Sequence, residues 1–419
     1  MADKDKSLKA PEAVRDITRR LEESGFETWA VGGAVRDALL GDLRADWDLA
    51  TAARPETVRK LFRPSYPIGL QFGTVGVRGI DGLVYEVTTF RRDIETDGRH
   101  AVVEYADTLD EDLGRRDFTI NAIAYHPLHQ KIHDPYHGRT DLQQRMLRCV
   151  GDPALRFAED YLRVLRGLRF AGRFGLEIEP ATWSALKAAV PLLPKLSGER
   201  VREELMKVLA APAAAPALDL YRRSGALDAL FGELAVLDDV AWQELLDAID
   251  RVSEARADLR LALLFEPAGP DTELMMARVR FSNAETRNVI ALDLALGEEL
   301  PQPADAAAAR RWLSRVTPQR AMDALQLHTV RAEARGADAT ALARLAERAR
   351  TIREAVDRGD PVTVGDLAID GNDLKVLGLP PGPDFGRILA TLMDAVIEDP
   401  SLNRRETLLE QARRLLEEG

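Results

Sequence analysis

Two carboxylates lie two residues apart in the chain, at Asp46 and Asp48. In a strand over residues 46–50 alternate side chains share a face, so both carboxylates would point the same way. Adjacent carboxylates repel each other unless cations lie between them. Two divalent ions held roughly 3.5–4 Å apart can activate an attacking oxygen atom and stabilise a leaving one. The spacing therefore predicts a metal pair at Asp46 and Asp48.

A glycine pair, Gly32 and Gly33, precedes these carboxylates, and Arg36 follows it in a predicted helix over residues 34–40. Glycine backbone can approach an anion closely, and the helix N-terminus and Arg36 would face the same group. Each feature alone is more often structural, since glycine turns and solvated acidic turns are common. Together they predict a nucleoside triphosphate site beside the metals.

Two further groups of charged residues would complete such a site. Glu86 lies in a strand-like run and would supply a third carboxylate if that run lies beside the Asp46 strand; otherwise it is an exposed edge residue. Arg115 and Arg116 would clamp a phosphate, although adjacent arginines are generally just solvated charge. Asp117 would hold one of these arginines or bond a ribose hydroxyl.

A predicted helix over residues 158–170 carries Asp160 and Arg163 at i and i+3, which makes them neighbours on one face. A carboxylate accepts from an exocyclic amine while a guanidinium donates to the adjacent acceptor, so the pair would select cytosine and adenine over uracil and guanine. The alternative is an internal salt bridge, worth only about 0.3–0.5 kcal/mol. Arg166 extends the pair, whereas Arg169 drifts away from Asp160 around the helix.

The elements that must position these residues form an α/β unit followed by helices. The first part alternates helix and strand signals, with a hairpin turn at Asp81-Gly82. After residue 150, apolar residues recur at helical spacing to the end, broken near residues 210–216 and 301–304. The early signals are a helix over 11–24 and strands over 28–31, 73–77, 83–90 and 120–125.

Composition bounds the class of protein. The chain has 419 residues, 46% hydrophobic and 30% charged. Its first six residues lack the apolar core expected of a signal peptide, and no apolar run is long enough to cross a bilayer. The single cysteine, Cys149, excludes an intramolecular disulfide, and a cytoplasmic protein without membrane contact is the simplest interpretation. The net charge of -12 argues against general nucleic-acid binding, so a local basic stripe is required for it.

Four histidines cluster in the chain without a cysteine. Their spacing is interrupted by prolines, which makes a zinc site less plausible than a closed loop capped by Asp134. The histidines are His126, His129, His133 and His137.

The ordered motifs resemble those of the class II CCA-adding tRNA nucleotidyltransferase and bacterial poly(A) polymerase family. The resemblance covers residues 28 to about 210, and the order of its motifs is highly specific. Its motifs are Gly32-Gly33-x-Val-Arg36-Asp37, Asp46-x-Asp48, Glu86-Val-Thr-Thr-Phe-Arg, Arg115-Arg116-Asp117-Phe-Thr-Ile-Asn121 and Glu159-Asp160-x-x-Arg163.

The resemblance implies an α/β head of the DNA polymerase beta type, with a mixed or antiparallel sheet, followed by an all-α neck, body and tail. The head would span residues 1–147 and the neck, which recognises the nucleotide base, residues 148–210. The body would span 211–300 and the tRNA-binding tail 301–419.

The resemblance also implies roles for individual residues. Asp46 and Asp48 would bind Mg²⁺, and with Glu86 they would form the catalytic set. The nucleotide-binding residues would be Gly32, Gly33, Arg36, Arg116, Asp117, Asn121, Asp160, Arg163, Arg166 and Arg169.

The implied activity is template-independent addition of CCA to tRNA 3′ ends from CTP and ATP. A poly(A) polymerase, or an enzyme that adds only CC or only A, is the nearest alternative. Where many members continue Arg-Arg-Pro, this chain has Arg99-His100-Ala101, in a segment that the family ties to switching from C to A. A non-catalytic RNA-binding helical protein is the alternative from a different class.

Overall fold

The computed structural model describes residues 8–41, 46–96, 101–378 and 382–417, and the chain divides into two compact units, residues 1–235 and 236–419. The strands all belong to the first unit. They are β1 Thr28–Val31, β2 Asp48–Thr51, β3 Ser65–Gly69, β4 Thr74–Arg78, β5 Val84–Thr89, β6 Arg91–Thr96, β7 Ala101–Tyr105, β8 Ala124–His126, β9 Lys131–His133, β10 Met146–Leu147 and β11 Glu177–Ile178.

Helices surround and extend this sheet in the first unit. The break after α9 confirms the one predicted near residues 210–216. The helices are α1 Glu12–Glu23, α2 Gly33–Leu39, α3 Pro55–Leu61, α4 Leu109–Gly114, α5 Gly138–Gln143, α6 Pro153–Glu159, α7 Leu162–Phe174, α8 Pro180–Ala189, α9 Gly198–Leu209, α10 Ala215–Ser224 and α11 Ala226–Phe231.

The main sheet is seven-stranded and mixed, in the order β3-β4-β5-β2-β1-β8-β9. Strand β2 pairs antiparallel with β1 and parallel with β5, while β4 and β5 form the predicted hairpin. Strands β6 and β7 pair separately, and the distinctive Arg99 and His100 between them lie outside the described residues. This is the α/β head that the sequence predicts.

The core forms where apolar side chains recur at the period of each element. Helix α1 buries Val14, Ile17 and Leu21 at steps of three and four residues, which is the spacing of one helix face. Val31 and Ala50, from the neighbouring strands β1 and β2, pack into one buried cluster. The backbone of the site is therefore anchored directly on the core.

One predicted strand is wrong in its first half. The apolar run 120–125 becomes a strand only from Ala124, because Thr119–Asn121 forms a 3₁₀ turn. The Ala122 N–H donates to the Thr119 carbonyl at 3.0 Å, and Ile120 is fully buried in this turn. A buried turn and a buried strand have the same apolar composition, so composition did not separate them.

The second unit is helical throughout its described residues, as the sequence predicts. Its loop between α15 and α16 contains the predicted break at residues 301–304. Over the described parts of the chain, we find no helix that is both long and apolar enough to span a membrane. The helices are α12 Asp239–Arg251, α13 Ala257–Phe265, α14 Thr272–Arg278, α15 Asn283–Gly297, α16 Ala306–Val316, α17 Pro318–Ala334, α18 Ala339–Arg358, α19 Gly371–Val376, α20 Pro383–Glu398 and α21 Arg405–Glu417.

Candidate active site

A polar cleft of about 570 Å³ lies in the first unit, a volume typical of ligand-binding clefts. The main sheet contributes one side, and α7 with α9 contributes the other. The cleft brings together all the predicted site residues except Asp46, namely Gly32, Gly33, Arg36, Asp48, Glu86, Arg116, Asp117, Asn121, Asp160, Arg163, Arg166 and Arg169.

Two of the carboxylates lie on two neighbouring parallel strands. Asp48 is the first residue of β2, and the parallel register of Leu49 with Val87 places Glu86 beside it on β5. Strand β5 is therefore the neighbour of β2, which is the condition under which Glu86 was predicted to supply a third carboxylate. Asp46 is exposed and precedes the strand, which begins at Asp48, two residues later than predicted.

The electrostatics of Asp48 show how crowded this corner is. Burial, together with the charges of Glu86 and Asp46, raises the pKa of Asp48 to about 6, and Arg116 only partly opposes them. Three carboxylates with this little compensation form a site short of positive charge. Oxygen ligands of this kind are those that Mg²⁺ prefers, so the donor set fits a divalent ion.

The glycine turn is shaped around an arginine. Gly32 precedes α2 with φ 76° and ψ -134°, a conformation that L side chains rarely adopt. A Cβ atom there would lie 2.7 Å from Nη1 of Arg116, whereas a Cβ on Gly33 would make an ordinary 3.5 Å contact with Arg36. Gly32 therefore provides the space that the Arg116 guanidinium occupies.

Arg36 is buried and held from several directions. Its Nη1 donates to Oδ1 of Asn121 at 2.5 Å, and its Nε donates to Asp37 at 2.7 Å. The guanidinium also lies 5.0 and 4.6 Å from the ring centroids of Phe170 and Phe174. Burial lowers the pKa of Arg36 from its usual value. Arg36 is thus a fixed positive charge at the cleft wall.

Asp117 joins the sheet side of the cleft to α7. It accepts from Nε of Arg166 at 2.7 Å and from Nδ2 of Asn121 at 2.9 Å. Burial opposes ionisation, but Arg166 and these hydrogen bonds lower the pKa of Asp117 to about 2. The prediction that Asp117 would hold Arg115 or Arg116 is wrong, because both donate to Asp112 instead.

The predicted helix over 158–170 is also wrong, since α6 ends at Glu159 and α7 begins at Leu162. Asp160 is extended there, and its Oδ1 accepts from the Leu162 N–H at 3.0 Å, which starts the new helix. Its Oδ2 accepts from Arg200 at 2.7 Å. Asp160 therefore occupies a helix junction rather than a helix face.

Arg163 is held at the first turn of α7. It pairs with Glu159, and its Nη2 donates to the carbonyl of Arg115 at 3.0 Å. Arg169 instead donates to Glu204 at 2.6 Å, and both side chains of that pair are buried. Lys207 also donates to Glu204 at 2.9 Å. The first turn of α7 and the buried Arg169 pair are thus fixed by separate partners.

Two of the four clustered histidines, His126 and His129, lie beside Glu22. Ligand atoms of Glu22, His126 and His129 lie within 4.8 Å of one another. However, Nδ1 of His126 accepts from the His129 N–H at 3.2 Å, so the neutral ring carries its proton on Nε2 and donates it to Glu22 at 2.7 Å. Asp134 accepts from the backbone at the start of α5, as the capping prediction requires.

Sequence reasoning missed several cleft residues. The partner of Asp160, Arg200, comes from α9, forty residues further along the chain. Arg173 is exposed one helical turn beyond Arg169, and its spacing from Arg166 along α7 was a signal that could have found it. The missed lining residues with polar or aromatic side chains are Thr74, Thr88, Arg91, Asp112, Phe170, Arg173 and Arg200.

A mixed sheet that presents clustered carboxylates to an arginine-lined cleft defines a nucleotidyltransferase. Comparison with known proteins agrees. Residues 28–148 match the poly(A) polymerase head domain, residues 175–237 the RNA- and SrmB-binding site of polymerase A, and residues 252–412 domain 2 of tRNA nucleotidyltransferase.

The chain belongs to the family of CCA-adding enzymes. It is 33% identical over 409 residues to the CCA-adding enzyme of Streptococcus mutans, covering 95% of this chain and 96% of that one. A crystal structure of the Bacillus stearothermophilus CCA-adding enzyme in complex with CTP matches with a TM-score of 0.79 at 32% identity, covering 98% and 100% of the two chains. The Thermotoga maritima CCA-adding enzyme complexed with tRNA shares the fold, with a TM-score of 0.64 at 20% identity and 97% of each chain covered.

Proposed function

We propose that this protein adds C, C and A in turn to the 3′ end of tRNA, using CTP and ATP and releasing pyrophosphate. The observation that carries the proposal is that one cleft holds the carboxylates Asp48 and Glu86 on its sheet side and Asp160 and Arg163 on its helical side. A 3′-hydroxyl and a nucleotide would meet between them.

Asp46, Asp48 and Glu86 would hold Mg²⁺, whose Lewis acidity is what transfer of a nucleotidyl group requires. Arg116 presents positive charge beside these carboxylates, and Arg36 lines the same cleft. That charge suits the triphosphate, and bidentate guanidinium contacts would orient it. The sheet side of the cleft would thus bind the reacting phosphates.

The α7 side would choose the base. Asp160 retains acceptor capacity beyond the bonds from Arg200 and Leu162, because each carboxylate oxygen has two lone pairs. Arg163 supplies the matching donor. Cytosine and adenine both present an amino group beside an acceptor, so the same pair would accept both and reject uracil and guanine. The helical remainder of the chain would bind the tRNA.

The test offers each of the four labelled nucleoside triphosphates separately to three tRNA primers. The first lacks CCA, the second ends in the first C, and the third ends in CC. We expect C on the first two primers and A on the third. Incorporation of A alone would indicate an A-adding enzyme, and long A tracts would indicate a poly(A) polymerase. No incorporation of any nucleotide would favour a non-catalytic RNA-binding protein.

Substitutions test the residue roles in the same assay. Asp48→Asn and Glu86→Gln should each lower incorporation by about 10³-fold or more, since each removes a charged metal ligand. The exposed Glu56→Gln is the matched control on the same unit. Full activity of either carboxylate variant would contradict the metal assignment.

Asp160→Asn should raise the use of UTP relative to CTP, because an amide can donate to the uracil carbonyl. Glu199→Gln, an exposed change on α9, provides the control for charge loss near Arg200. An unchanged preference for CTP in Asp160→Asn would show that the base is read elsewhere.

A further inference from the structure

Asp112 is a buried carboxylate on α4 that neither the sequence motifs nor the proposed reaction uses. Its side chain is 1% exposed, and three donors converge on it. Oδ2 accepts from Nη2 of Arg116 at 3.0 Å, and Oδ1 accepts from Nε of Arg115 at 3.1 Å. The backbone N–H of Arg91, where β6 begins, also lies 3.3 Å from Oδ1.

The convergence of two arginines needs an explanation, because adjacent guanidiniums repel each other. Burial of Asp112 opposes its ionisation, but Arg116 and Arg115 hold the pKa of this carboxyl below its usual range. A buried charge with this number of donors is a rigid anchor, since moving any partner leaves it uncompensated. Asp112 therefore determines where the two side chains can lie.

Arg116 is the one of the two whose other end reaches the reaction centre. Its Nη1 donates to the Asn121 carbonyl at 3.3 Å and occupies the space left by Gly32. Its charge also opposes the rise in the pKa of Asp48. The Arg116 guanidinium thus binds Asp112 through Nη2, while its Nη1 lies against the glycine turn and its charge acts on Asp48.

We propose that Asp112 is a positioning residue for nucleotidyl transfer, which acts by holding Arg116 against the Gly32 turn beside Asp48. This inference rests on the proposed function, because the contribution of Arg116 is read through the reaction. It assigns no substrate contact to Asp112.

A double-mutant cycle tests this role. Asp112→Asn keeps the shape of the side chain but turns an amide towards guanidinium donors, so Arg116 should leave its place. Single-turnover incorporation should fall by about 10- to 100-fold, the scale of a misplacement of about 1 Å. In an Arg116→Gln background the same change should have less than about a threefold effect, since the residue on which Asp112 acts is already gone.

A purely structural role would give a different result. It would lower the rate by the same factor in both backgrounds, and that additivity would overturn the proposal, as would a wild-type rate in Asp112→Asn. Asp110→Asn, an exposed acid on the same helix, is the control. Thermal unfolding of every variant separates lost protein from lost rate. If Asp112→Asn does not fold, Asp112→Glu, which keeps the charge but displaces it, enters the same cycle with the same two outcomes.

The cycle is run with whichever nucleotide the wild-type protein incorporates. A wild-type protein that incorporates none refutes the proposed function and, with it, this inference. An active wild-type protein with an additive cycle refutes the role of Asp112 alone.

Discussion

Replacing Gly32 by alanine tests how far the reaction depends on the space beside Arg116. The added Cβ would lie 2.7 Å from Nη1, and an ordinary contact begins near 3.4 Å, so the guanidinium would retreat by about 0.7 Å. The backbone at φ 76° and ψ -134° adds strain of about 1–3 kcal/mol for a residue with a side chain. One methyl group thus acts on both stability and catalysis.

Two other glycines separate these effects. Gly25 has φ 87° and no atom within 4 Å of a built Cβ, so Gly25→Ala adds backbone strain without a steric contact. Gly33→Ala adds a methyl group at an ordinary 3.5 Å contact without that strain. Urea unfolding should show losses of about 1–3 kcal/mol for Gly25→Ala and Gly32→Ala and less than about 1 kcal/mol for Gly33→Ala.

Single-turnover transfer of labelled CMP to tRNA lacking its CCA end provides the catalytic measurement. We expect Gly32→Ala to lose about 10²-fold in rate, because a displacement approaching 1 Å has that effect on a positioned group. Gly25→Ala should stay within about twofold of the wild-type rate. A Gly32→Ala rate as high as that of Gly25→Ala would show that the position of Arg116 does not limit the reaction.

Three further predictions concern stability and reactivity. Burial opposes the ionisation of Asp117, but Arg166 and the hydrogen bonds from Asn121 and the Phe118 N–H together lower its pKa from 3.8 to about 2. The ionised carboxylate therefore stabilises the fold above about pH 4, and this stabilisation is lost as the pH falls towards 2. Asp117→Asn should remove roughly 2 kcal/mol of this acid dependence, measured by urea unfolding at each pH. Buried Arg310 donates to two backbone carbonyls at the end of α20. Arg310→Met should lower the free energy of unfolding of the second unit, measured in urea, by about 3 kcal/mol. The control Arg311→Met, at an exposed neighbour, should lower it by less than about 1 kcal/mol. Burial raises the pKa of Cys149 to about 12, so a thiol reagent should modify the native protein at least about 100-fold more slowly than the unfolded chain; comparable rates would contradict its burial.

The fold was predictable where periodicity and turn residues agree. Strand Thr28–Val31 occurs as predicted, since an apolar run followed by Gly32-Gly33 leaves few alternatives. The hairpin at Asp81-Gly82 also occurs, because Gly82 supplies the positive φ that the turn needs. These features are local, so the sequence contains their full cause.

The remaining features depend on partners far away in the chain. The apolar residues keep helical spacing through Asp160, and no glycine or proline marks the point where one helix ends and the next begins. Arg200, from another helix, stabilises this junction by donating to Asp160. Arg169 similarly pairs with Glu204, thirty-five residues away. Motif order identified which residues meet in the cleft, but only packing decides which acid holds which arginine.

Polar residues between Asp112 and Asn121 are hydrogen-bonded to one another and to neighbouring elements. Arg116 depends on Asp112, and Asn121 contacts both Asp117 and Arg36. Single substitutions in this set therefore leave an orphaned partner, and sequence change here must proceed by paired replacements. Attempts to engineer a new nucleotide preference should begin at the rim of the cleft, at Arg200, and leave this inner set intact.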